Sequence, residues 1–136
     1  MKFASELTEA LIGDHWCASG NAQGGHGKNT IPIENFGFRV SYPAKPFLRY
    51  FPSTVISEIP KASVPIVMLS PGTLMATQQC VVWDKVREFV AENAQTFDPI
   101  TVIQYQGEKY IWDGHHRVVA QTLLGVSPIK ARLVTL

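Results

Sequence analysis

Ile111-Trp112-Asp113-Gly114-His115-His116-Arg117-Val118-Val119-Ala120 is the stretch on which the reading of this chain turns. Apolar residues run up to Trp112, a polar cluster follows, and Val118 to Leu124 shows helical spacing. Gly125 then stands where a left-handed C-cap is expected. The stretch predicts a strand, a loop and a helix. The first amides of a helix lack internal partners and lie at the positive end of its dipole, so this junction suits an anion such as phosphate. Gly114 lets the backbone approach a ligand closely. Arg117 can grip phosphate through its planar guanidinium. His115 and His116 can donate hydrogen bonds, shuttle protons or bind a metal. Asp113 can cap the helix or hold a divalent ion.

Working outward, Ile100 to Tyr105 is β-branched and aromatic, and Gln106-Gly107-Glu108-Lys109 predicts a hairpin turn into Tyr110 to Trp112. Val82, Val86, Phe89 and Val90 fall at helical spacing, with Asp84, Lys85, Arg87 and Glu88 turned outward. Val64 to Leu69 reads as a short apolar strand whose Pro65 suggests a sheet edge. Ser127-Pro128 breaks the chain before a last strand, Ile129 to Val134. The expected order from Val64 is strand, helix, strand, strand, helix, strand, an α/β or α+β unit with a small mixed sheet. Upstream, Phe36, Phe38, Val40 and Tyr42 alternate with Gly37, Arg39 and Ser41 as in a strand with one buried face, ended by Pro43 and Pro46. Ala44 to Lys61 carries no firm assignment. Ala4 to Ile12 fits a short helix. Gly13 to Thr30 holds five of the ten glycines and reads as a loop. Residues 1–62 are expected to form a partly irregular extension packing on a core of residues 63–136.

At 136 residues the chain suits one domain, and 46% hydrophobic residues suffice for a core. Twelve basic against eleven acidic residues leave almost no net field, so a DNA-coating surface is not expected, though a local phosphate pocket is untouched by this. The two cysteines, Cys17 and Cys80, allow a disulfide, but in a domain with an adequate core reduced thiols are the expectation. Met1 to Ile12 lacks the unbroken apolar run of about 7–15 residues of a signal peptide. No stretch reaches the roughly 18 apolar residues of a membrane span. A cytoplasmic protein is expected.

Asp113-Gly114-His115-His116-Arg117, followed by Val118-Val119-Ala120 and Leu123-Leu124-Gly125, resembles the signature of the ParB/sulfiredoxin superfamily. Leu69 through Thr77-Gln78 is similar to that family's first box, and the Ile100 to Trp112 hairpin fits between the two. The resemblance spans about Val64 to Val134. It implies phosphate bound by Thr77, Gln78, Gly114, His115, His116 and Arg117. Departures narrow the activities. Sulfiredoxins place a cysteine where His115 stands, and Cys80 does not match that position, so their thiol chemistry is not expected. The superfamily's free-serine kinase carries a glutamate base near the place of Gln78, and glutamine cannot take up a proton at neutral pH. Partition proteins carry a helix-turn-helix domain after this unit, which is not expected in a sequence ending at Leu136.

Stand-alone members of plasmid or phage type imply nuclease or ATPase activity. The leading expectation is hydrolysis of a phosphodiester or phosphoanhydride. His115 or His116 would serve as acid or base, and Arg117 with the loop amides would hold developing charge. Mg²⁺ or Mn²⁺ would be held partly by Asp113, with ATP, another nucleotide or nucleic acid as ligand. The runner-up is a non-catalytic regulator or inhibitor that binds a nucleotide or a partner protein; a homodimer is open. The bland alternative makes Asp113 an N-cap and Arg117 a surface residue.

Elsewhere the bland readings are preferred. Gly24-Gly25-His26-Gly27-Lys28 lacks the leading glycine and the closing Ser or Thr of a P-loop and reads as a glycine-rich loop, with a lid over the C-terminal site as the alternative. His15-Trp16-Cys17 lacks a second pair for zinc. Glu34 and Glu58 read as solvated. Trp83 and Phe89 read as core or interface, and Tyr50 and Phe51 as core rather than base-stacking platforms.

Overall fold

The β6–β7 hairpin organises the domain. Strands β6 (Ile100–Tyr105) and β7 (Glu108–Asp113) pair antiparallel across the two-residue turn Gln106-Gly107. Both turn residues have positive φ, +50° and +82°, the geometry that matches the right-handed twist of the flanking strands. Burial on both faces explains the composition. Val102 and Ile111 point into one apolar cluster, Ile103 and Tyr110 into another. The computed structural model describes residues 29–92 and 98–136.

Around the hairpin a six-stranded mixed sheet forms in the order β2-β4-β7-β6-β8-β3. It is completed by β2 (Arg39–Val40), β3 (Ile66–Leu69), β4 (Leu74–Ala76) and β8 (Ile129–Thr135). β2 with β4, β4 with β7 and β6 with β8 run parallel; β3 with β8 runs antiparallel. A separate two-stranded ladder joins β1 (Thr30–Pro32) to β5 (Cys80–Val82). Helices α2 (Trp83–Ala91) and α3 (His115–Leu123) cover one face, where Trp83, Val86, Val118 and Val119 meet Ile100, Val102, Ile111 and Ile129. The other face is covered by the segment leading into the short helix α1 (Ser53–Ser57). There the fully buried Phe47 packs edge-on against Tyr105 and Tyr110, with Ile56 beside it.

The mixed α/β class matches expectation, as do the hairpin, both longer helices and the last strand. β3 is an edge strand, as Pro65 suggests, and Ile66 and Met68 on it are exposed. Several local readings need correction. Phe36 to Tyr42 is not one strand: Ile33–Phe36 is a 3₁₀ turn closed by Gly37, only Arg39–Val40 is extended, and Tyr42 is almost fully exposed. β4 and β5 were not anticipated between β3 and α2. Tyr50 is exposed rather than in the core, lying under Arg49, whereas Phe51 packs against Tyr105. Trp83 is buried, and Glu34 and Glu58 are exposed. Cys80 is disulfide-bonded, contrary to the reduced state expected, and its partner lies outside the described residues. The Ala4–Ile12 helix, the Gly24–Lys28 loop and His15-Trp16-Cys17 also lie outside them. Among the described residues no helix is long and apolar enough to cross a membrane.

Candidate functional site

Gly114 is the residue on which the site is built. It occupies the N-cap of α3 at φ +112°, in the left-handed half of conformational space. A Cβ there would lie 2.6 Å from Ile100 Cγ2 and 2.9 Å from Ile100 Cβ, so the β7–α3 turn has room only for glycine. No side chain caps the helix: Asp113 does not fold back onto it. The first backbone bond of the helix runs from Val118 N–H to Gly114 O, and among the described residues no acceptor takes the amides of His115, His116 and Arg117.

The residues that carry these amides line a cleft of about 1220 Å³. Its walls bring together every site residue anticipated: Thr77 and Gln78 from the turn after β4, and Asp113, Gly114, His115, His116 and Arg117. They also bring residues that were not anticipated there, Lys45, Lys85 and Trp112. Lys45 comes from the proline-rich stretch before α1, and its ammonium sits 5.0 Å from the Trp112 ring centroid. Lys85 comes from the exposed side of α2. Among the described residues neither lysine forms an ion pair.

The histidines are placed differently from what proton shuttling requires. His115 is 5% exposed, and its Nε2 accepts the Thr77 backbone N–H at 3.0 Å. The Thr77 hydroxyl lies 3.3 Å from the same nitrogen and donates to Ile111 O at 2.6 Å. His116 Nε2 accepts the Val82 backbone N–H, also at 3.0 Å. An accepting Nε2 is a neutral imidazole. Burial, reinforced by His116 and Lys45, lowers His115 to a pKa of about 3. Burial and the charge of Lys85 lower His116 to about 4. Both rings are therefore uncharged at neutral pH, and together they clamp the segment from Thr77 to Val82 onto the first turn of α3. Within that segment the Gln78 amide donates to Cys80 O at 2.7 Å.

Arg117 borders the cleft, yet its guanidinium is largely engaged. One nitrogen donates to Asp98 O at 3.1 Å and Pro99 O at 3.4 Å, and the other meets the Asp113 carboxylate at 3.1 Å. With its side chain 18% exposed, it fastens the start of β6 to the end of β7. Asp113 is correspondingly committed. Among the described residues no group of three or more His, Cys, Asp or Glu is placed to hold a metal ion. Of the three carboxylates that line the cleft, Glu88, Asp98 and Asp113, Asp113 is the one committed to Arg117.

What the arrangement can do is hold an anion: a helix N-terminus whose first three amides have no acceptor among the described residues borders a cleft with two lysines that form no ion pair among those residues. Glu88 and Asp98 also line it and limit how much negative charge it accommodates.

No protein-family model matches the chain, and no curated protein matches it. Among solved structures it is similar to a sulfiredoxin from Arabidopsis thaliana, at 25% identity and a TM-score of 0.44, over 52% of this chain and 85% of that one.

Proposed function

We propose that this protein binds the phosphate of a nucleotide or nucleic acid at the N-terminus of α3, and acts as a binding module rather than a hydrolase working through its histidines. The observation that carries this reading is that His115, His116 and Arg117, whose amides meet no acceptor among the described residues, line one cleft with Lys45 and Lys85. The Asp-Gly-His-His-Arg resemblance supports the same ligand class. The neutral, amide-bound imidazoles favour binding over acid–base chemistry, because each Nε2 lone pair is already used. A divalent ion would arrive with the phosphate groups rather than be held by a protein cluster.

Thermal-shift titration with inorganic phosphate and with ATP, with and without Mg²⁺, tests the reading. At about 100 times its dissociation constant a ligand stabilises by roughly 2.7 kcal/mol. Lys85→Ala and Lys45→Ala should each weaken binding, whereas Arg117→Ala should first reduce stability. Absence of any shift at millimolar ligand rejects phosphate binding. Phosphate release that disappears in His116→Ala would replace the binding module by the hydrolase.

A further inference from the structure

A second cavity lies on the opposite side of Trp112. In the β6–β7 ladder Thr101 faces Asp113 and Val102 faces Ile111, so Trp112 is an extra, unopposed residue, a β-bulge. Bulges re-aim side chains. The Trp112 indole stands between the α3 cleft and this second cavity of about 400 Å³, and lines both. Its apolar walls are Ile56, Ile59, Val64 and Val134. Its charged rim is Lys61 and Arg132, with Lys45 shared across the indole. The single carboxylate on that rim, Asp113, is bound to Arg117. Among the described residues neither Lys61 nor Arg132 forms an ion pair. A cavity that joins apolar walls and an indole to cations without an ion-pair partner among the described residues is complementary to a molecule with a flat apolar body and one anionic group.

We propose that this cavity is a binding site for a small aromatic carboxylate, its ring against Trp112 and its carboxylate between Arg132 and Lys61. Arg132 supplies a planar fork that matches a carboxylate. The site does not require phosphate at α3, although it shares Lys45, Trp112 and Asp113 with that cleft; Lys61 and Arg132 line it alone.

Calorimetric titration of the full chain with indole-3-acetate and its neutral isostere indole-3-acetamide tests the proposal. The acid should bind and the amide should bind at least about tenfold more weakly, the loss of a charge-assisted hydrogen bond. Arg132→Gln and Lys61→Gln, both at solvent-accessible positions, should each weaken the acid by a similar factor. Lys85→Gln should weaken inorganic phosphate and leave indole-3-acetate unchanged. Equal binding of acid and amide, no heat at millimolar acid, or loss of the acid in Lys85→Gln alone would each overturn the assignment. Failure of phosphate with retention of the acid would strike only the α3 reading.

Discussion

Replacing Gly114 by alanine puts a methyl carbon 2.6 Å from Ile100 Cγ2, a distance at which something must move. Ile100 is 1% exposed and packed in the main cluster, so it has no empty space to enter. Two costs combine. A side chain at φ +112° is strained by about 1–3 kcal/mol. Overpacking a filled core costs about 1–3 kcal/mol more. The lower entropy of the unfolded alanine chain returns about 0.4–1 kcal/mol. The net expectation is a loss of about 2–5 kcal/mol, a large share of a typical domain's stability of about 5–15 kcal/mol. Urea denaturation should show a lower midpoint with an unchanged slope. Gly107→Ala is the control: its φ is +82°, but nothing lies within 4 Å of an added Cβ. It should cost only about 1–2 kcal/mol. Ile100→Ala removes the 2.6 Å Cγ2 contact and leaves the 2.9 Å approach of Ile100 Cβ with a smaller side chain free to shift, so the double variant should be more stable than the sum of the single changes by about 0.5 kcal/mol or more. If Gly114→Ala unfolds at the same urea concentration as Gly107→Ala, the crowding described for this turn is wrong.

Acid should destabilise the fold through its two clamping histidines. Their folded pKa values of about 3 and about 4 lie below the unfolded 6.5. The unfolded chain therefore binds more protons, and stability is full above pH 6.5 and falls as pH drops toward 4. The slope is up to about 1.4 kcal/mol per pH unit for each ring. Urea midpoints that agree at pH 5 and pH 7 would contradict this, and His115→Gln should flatten the dependence. Thr77→Val removes the buried 2.6 Å bond to Ile111 O and should cost about 1–3 kcal/mol, which Thr77→Ser should largely restore. Calorimetric melting reads both. Phe47→Ala empties the centre of the second cluster and should cost about 3–5 kcal/mol. A loss below 1 kcal/mol in guanidinium unfolding would mean that the chain before β3 is not integral to the domain.

The parts of the fold that were legible in the sequence are the long periodic ones. The hairpin, α2, α3 and β8 each carry enough residues for a period of 2 or 3.6 to register. β4 and β5, three residues each, are too short to show one, and β2 is shorter still. Phe36 to Tyr42 has a strand's alternation, but the positive φ of Gly37 breaks it. The helix N-terminus and its glycine were readable because conformation and capping are local. The state of His115 and His116 was not, since it depends on amides of Thr77 and Val82 more than thirty positions earlier. Lys45 and Lys85 escaped for the same reason: nothing near either lysine in sequence announces that it will border α3.

The strand order has a consequence for synthesis. β8 lies between β6 and β3, so β3, made early, has no partner in the sheet until Ile129–Thr135 has been translated. On the ribosome, the β3 backbone waits unpaired while β4, β6 and β7 are already available to one another. Synthesis of β8, rather than the appearance of the central hairpin, then sets the moment at which one side of β3 is paired, and a pause before Ile129 leaves both sides open to chaperones or to a neighbouring nascent chain.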